Sequence, residues 1–133
     1  MTTNARGTFD VKLAPQVTDG YDENGTLGRF TIDKQLHGDL QGTSKGQMLS
    51  AGTGVKNSAG YVAIEQVSGT LNGRRGRFAL MHTGAMNRGA PSLTITVVPD
   101  SGTDELAGLT GMFMINIVDG KHLYEFDYAL PGT

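Results

Sequence analysis

In Tyr61-Val62-Ala63-Ile64-Glu65-Gln66-Val67-Ser68-Gly69-Thr70-Leu71-Asn72-Gly73-Arg74-Arg75-Gly76-Arg77-Phe78-Ala79-Leu80-Met81-His82, two alternating runs flank an Asn-Gly pair. Asn-Gly favours a hairpin because both central residues of a type I′ turn take positive φ. A two-residue loop also sets register: Leu71 faces Arg74, and the numbers of opposed residues sum to 145. Tyr61, Ala63, Glu65 and Val67 then share a face with Phe78, Leu80 and His82. Glu65 and His82 become diagonal neighbours, roughly 7 Å apart at the backbone and within side-chain reach.

Working outward, Asp19-Gly20, Asn24-Gly25 and Asp119-Gly120 are further turn signals. Phe9, Val11 and Leu13 alternate with polar residues, as do Phe30, Ile32 and Leu36. Leu40 to Ser50, Leu93 to Val98, Gly111 to Val118 and Lys121 to Leu130 complete about eight strands. Around Asp119-Gly120 the same construction places Phe113, Ile115 and Ile117 beside His122, Tyr124, Phe126 and Tyr128, a core face. Helix is minor; Thr103 to Leu109 allows one turn, with Thr103 as its cap. The fold class is all-β, a closed antiparallel barrel over residues 1–133, since closure removes the exposed edges a sandwich would keep.

Composition sets the bounds. The 133 residues fit one domain, and 20 glycines suit many short strands with tight turns. The absence of cysteine excludes a disulfide frame, a thiolate nucleophile and a thiolate zinc site. No apolar run suits a signal peptide or a membrane span, so a cytoplasmic location without membrane association is expected. A net charge of -2 gives no general field for a phosphate backbone. Arg74, Arg75 and Arg77 lack interleaved aromatics and read as solvated surface, so no nucleic-acid partner is expected. The outward apolar residues Val62, Ile64, Met81, Met112 and Met114 point to a homo-oligomer.

Lys34 interrupts the apolar face of Phe30, Ile32 and Leu36, and broken patterns are where function concentrates. Lys34, Tyr61, Glu65, His82, His122, Tyr124 and Tyr128 together are too polar for a dry interior and suit a pocket. Glu65, inside the run Tyr61 to Glu65, is the acid/base candidate, with His82 and Lys34 tuning it; the competing reading is a structural ion pair that holds register. Tyr61, Phe78, His122, Tyr124 and Tyr128 are the expected ligand-contacting residues, against plain core packing for the tyrosines. His37, His82 and His122 lack zinc-site spacing, so neither metal nor cofactor is expected. Gly42-Thr43-Ser44-Lys45-Gly46 matches G-x-S-x-G but lacks its strand-to-helix context; the glycines read as letting the strand bend around the barrel or as admitting a neighbouring backbone. Asp100, Asp104 and Glu105 read as turn residues.

His37-Gly38-Asp39-Leu40, Met48-Leu49-Ser50, Ser58 to Glu65, Leu80-Met81-His82-Thr83-Gly84, Val97 to Thr103 and His122 to Tyr128 resemble a family of small bacterial proteins of unknown function. Its members look like allene oxide cyclases in fold, which implies an eight-stranded antiparallel barrel. Plant allene oxide cyclases hold an apolar epoxide and use a buried glutamate with an ordered water; their catalytic positions find no motif match here, and none is carried over. The expected function is an isomerase- or cyclase-like barrel acting on a small, largely apolar molecule. A non-catalytic ligand-binding barrel and a filled structural module are the competing classes.

Overall fold

The computed structural model describes residues 2–18 and 26–132. Asp19-Gly20 and Asn24-Gly25 lie outside the described residues. Elsewhere the strands are β1 (Thr3–Pro15), β2 (Leu27–Gly38), β3 (Leu40–Gly52), β4 (Ala59–Leu71), β5 (Arg74–Asn87), β6 (Ala90–Val97), β7 (Thr110–Val118) and β8 (Lys121–Ala129). They pair antiparallel in chain order and β8 returns to β1, closing the expected barrel.

Turn chemistry delivers the register. Asn72 and Gly73 have φ of 48° and 83°, and Asp119 and Gly120 have 51° and 78°, as type I′ turns require. Leu71 pairs with Arg74 and Val118 with Lys121, so both hairpins keep the expected faces. The β5–β6 hairpin is longer than its sequence pattern, reaching Asn87 and Ala90 through Arg88-Gly89. Its turn was hidden because Arg88 takes φ of 49°, a conformation uncommon for arginine. Thr103 stands at the N-cap of the 3-10 turn Asp104–Leu106 without capping it; its hydroxyl instead accepts from the Arg77 N–H.

The two ends of the barrel differ. At the base, Leu106 and Leu109 from the segment between β6 and β7 are fully buried over Leu40, Leu71, Phe78, Val97, Phe126 and Tyr128. Phe78 stacks on Phe126 and Phe113 on Tyr124, so this half is a packed aromatic core. At the mouth lie the β5–β6 and β7–β8 turns and the 53–58 link. There the inward pattern stays incompletely covered: Ile117, expected in the core, is 62% exposed because it sits on the rim. Among the described residues no helix is long and apolar enough to cross a membrane.

Gly42 and Gly46 are points of close approach, as expected. A Cβ on either would lie 2.1 Å from a β4 carbonyl oxygen, that of Ser68 or Ile64. Gly46→Ala is therefore expected to lower the urea midpoint, at a cost of about 1–3 kcal/mol typical of overpacking. An unchanged midpoint would show that β3 and β4 can separate freely there.

Candidate functional site

Midway along the barrel the cross-strand register gathers a polar cluster on top of the packed base. Lys34 on β2 opposes Ser44 on β3, while Glu65 on β4 opposes Gly46 on β3 and Leu80 on β5. Ser44 and His82 are thus diagonal neighbours of Glu65 on its two sides. Gly46 makes the seat, since a Cβ there would lie 2.8 Å from the Glu65 Cβ.

Glu65 is 1% exposed and accepts from three side chains. Lys34 Nζ donates to Oε2 at 2.8 Å, His82 Nε2 is 2.5 Å from the same oxygen, and Ser44 Oγ donates to Oε1 at 2.6 Å. Burial pushes the carboxyl up, but the hydrogen bonds from His82, Lys34 and Ser44 and the Lys34 charge overcome it and hold it at about 2. The cluster is buried throughout, with Lys34 and His82 each 5% exposed. Lys34 also lies over the Phe9 ring, 4.9 Å from its centroid.

The hydrogen-bond network sets the proton positions. An ionised Glu65 only accepts, so His82 Nε2 carries its proton toward Glu65. The Tyr61 hydroxyl lies 3.3 Å from His82 Nδ1 and donates to it whenever that nitrogen is unprotonated. Burial, and behind it the Glu65 charge, pushes the Tyr61 phenol up from its ordinary value and keeps it protonated. The Tyr61 ring packs against Gly84, the residue opposite it, where a Cβ would come within 2.3 Å of the ring.

Tyr61 also lines a groove of about 360 Å³ at the mouth. Met48, Met86, Pro91 and Leu93 give it apolar walls, with Ser50 and small residues of β4 and β5 between them. A hydrogen-bonded chain therefore leads from an apolar groove, through Tyr61 and His82, to a buried carboxylate.

Of the residues singled out from sequence, Lys34, Tyr61, Glu65 and His82 come together here. Phe78, Tyr124 and Tyr128 are buried in the base. The Tyr124 hydroxyl accepts from the Leu40 N–H and lies 2.9 Å from the His37 and Leu40 carbonyls, pinning the β2–β3 turn. The Tyr128 hydroxyl accepts from the Asn72 side chain. His122 packs its ring 5.1 Å from Phe9, the ring over which Lys34 lies. Sequence reasoning missed Ser44, although symmetry about Asp39 sets it opposite Lys34; the same register walk would have found it. Among the described residues no group of three or more His, Cys, Asp or Glu side chains could hold a metal ion.

These features define a small closed β-barrel with a filled base, an ionic layer across its middle and an apolar groove at its mouth. Residues 5–128 match the model of a family described as a protein of unknown function, DUF3224, and the chain belongs to that family. The chain is similar to a crystal structure of a protein with unknown function from the DUF3224 family of Shewanella oneidensis MR-1. Identity is 48%, all of both chains is covered, and the TM-score is 0.94. The barrel has the allene-oxide-cyclase-like architecture that the sequence blocks implied. A comparison with curated proteins gives no match.

The depressed Glu65 carboxyl makes stability pH-dependent. Its folded value of about 2 lies below the free value of 4.5, so its contribution is complete above pH 4.5 and is lost as pH falls toward 2. That contribution is on the order of 3 kcal/mol. Urea unfolding across this window should show wild-type stability falling steeply. Glu65→Gln should lack that slope and lose about 3–5 kcal/mol at neutral pH, because Lys34 keeps a buried charge without its counterion. Equal slopes in the two proteins would refute the assignment.

Proposed function

We propose that the protein binds a small, largely apolar molecule in the mouth groove and isomerises it by proton transfer through Tyr61. The observation that carries this reading is the chain Tyr61–His82–Glu65, which starts at the groove wall and ends on a carboxylate with three donors. The sequence expectation made Glu65 the acid/base. Held at about 2, however, Glu65 is a poor base near neutrality, so we reassign it as the group that orients His82. Lys34 and Ser44 keep it ionised and fixed.

In the proposed step, the Tyr61 oxygen takes a proton from one atom of the ligand as the Tyr61 proton passes to His82 Nδ1. The resulting imidazolium faces Glu65. The reverse transfer delivers a proton to a second ligand atom, so the net change is an isomerisation that consumes no co-reactant. An apolar carbonyl compound with exchangeable α-protons is the simplest molecule that fits both the groove and the chemistry.

Incubation in deuterated buffer with a panel of medium-chain aliphatic ketones, read by mass spectrometry, tests this. Wild-type protein should speed α-deuteration of at least one member. Tyr61→Phe should lower that rate by about 10²–10⁴, the usual contribution of an acid/base group, while ligand binding persists. Binding without faster deuteration by the wild type would favour the ligand-carrying barrel over the isomerase.

We also propose that copies of the chain associate through the outer wall. Gln47, Ile64, Met81, Thr96 and Met112 form one cross-strand row, with Val62 and Leu49 in the next, and the row carries no charge. Ile64, Met81 and Met112 are each exposed, and an uncharged apolar row can face its own copy without like-charge repulsion. Sedimentation of Ile64→Glu/Met81→Glu should show a smaller species than wild type; a monomeric wild type would refute the association.

A further inference from the structure

The seams of the barrel are unequal, and the weakest one borders the groove. Seven of the neighbouring strand pairs form extended ladders, whereas β6 and β7 share the single pair Thr96↔Met112. From that pair toward the mouth, one edge of β6 and one edge of β7 have no ladder partner. Leu93 and Ile117 point inward by register yet are 46% and 62% exposed, so the wall does not cover the interior there. Pro91, Ser92 and Leu93 of this same free-edged strand form one wall of the groove.

β6 is therefore held along β5 alone, apart from one bridge at its base end. Its mouth end has a second fastening. At the β5–β6 turn the Arg88 N–H donates to Ser58 Oγ at 2.9 Å and the Gly89 N–H to the Asn57 carbonyl at 3.0 Å, both in the 53–58 link. Moving any strand of the wall other than β6 or β7 would break a ladder on each side, and each broken backbone pair must be satisfied again by water. Moving the outer part of β6 away from β7 breaks no ladder beyond Thr96.

We propose that the mouthward β6–β7 seam is the door of the groove: the end of β6 swings from β7 to admit ligand sideways, the Ser58 and Asn57 contacts latch it, and Leu93 and Ile117 select what passes. This rests on the reading that the groove is the ligand site. Apolar jambs on an otherwise polar pair of edges favour passage of an uncharged molecule. The free backbone groups disfavour a resting place for an apolar chain between the strands, because an apolar occupant would strip them of water. The seam is thus an entrance, and the bound position is the groove beside Tyr61.

The test uses the neutral apolar dye N-phenylnaphthylamine and the full chain, which has neither Trp nor Cys. A Trp introduced by Met86→Trp on the groove wall reports dye in the groove by energy transfer, separating it from dye on the outer wall. Into this protein Thr94→Cys and Met114→Cys are added, the two positions that would oppose each other if the Thr96↔Met112 register ran on toward the mouth. Oxidation should slow dye association by about tenfold or more, and reductant should restore it. Ser58→Ala, which removes half the latch, should accelerate association. If the cysteines do not cross-link, Ile117→Trp in the protein without the reporter, followed by dye fluorescence, should slow association instead. Unchanged association in the cross-linked protein, or with Ile117→Trp where no cross-link forms, overturns the door and leaves the groove standing. No energy transfer from the Met86→Trp protein, together with no dye binding by the wild type, removes the groove and the door together.

Discussion

Placing an ionised carboxylate inside a closed barrel is the constraint on which the rest of this structure depends. Glu65 is almost fully buried, and a buried charge is tolerated only when paired and hydrogen-bonded. Lys34, His82 and Ser44 meet that demand from three other strands. Each of those residues must therefore sit at a set height in the barrel, which ties the relative stagger of β2, β3, β4 and β5 to one cluster. Gly46 belongs to the same constraint, because its missing side chain is the space in which Glu65 stands. A buried pair of this kind adds little net stability over an apolar replacement, but breaking it is costly, so its effect falls on register.

The ionic layer divides the barrel into two parts with different physics. Below it, the aromatic rings of Phe78, Phe113, Tyr124 and Phe126 and the plug residues Leu106 and Leu109 fill the interior and supply most of the apolar burial. Above it, small residues and half-exposed apolar ones leave a groove. An eight-stranded barrel has room for side chains or for one small ligand, and this one does each at a different end. Tyr61 is the contact between the halves: its ring forms groove wall and its hydroxyl reaches His82. The weakly joined seam lies between β6 and β7, one strand beyond the β2–β5 wall that carries the cluster, and β6 meets that wall along β5.

Much of this is legible in the sequence. The Asn72-Gly73 turn and its two-residue loop were enough to put Glu65, His82 and Tyr61 on one face, because a turn type sets hairpin register and register sets every face. Lys34 stood out as a charge on an apolar face. The tyrosines were misleading for a physical reason. Inward polarity marks a pocket only if the polar tip is free, and the hydroxyls of Tyr124 and Tyr128 are occupied by the Leu40 backbone and by Asn72. Those partners lie 84 and 56 residues away in the chain, beyond any local pattern. Ser44 was overlooked because a serine between glycines looks like a strand bend.

The sequence by itself determined the all-β class, the hairpins with Asn-Gly and Asp-Gly turns, the inward and outward faces, and the meeting of Glu65 with His82. These follow from local backbone preferences and from the two-residue period of a strand. Only the tertiary structure decided that Lys34 and Ser44 reach the same carboxylate, that the carboxylate is thereby held ionised, that the base is filled and the mouth open, and that β6 and β7 share a single ladder pair. Those facts depend on closure, which brings strands distant in sequence to one height around one interior, and no local preference encodes that height.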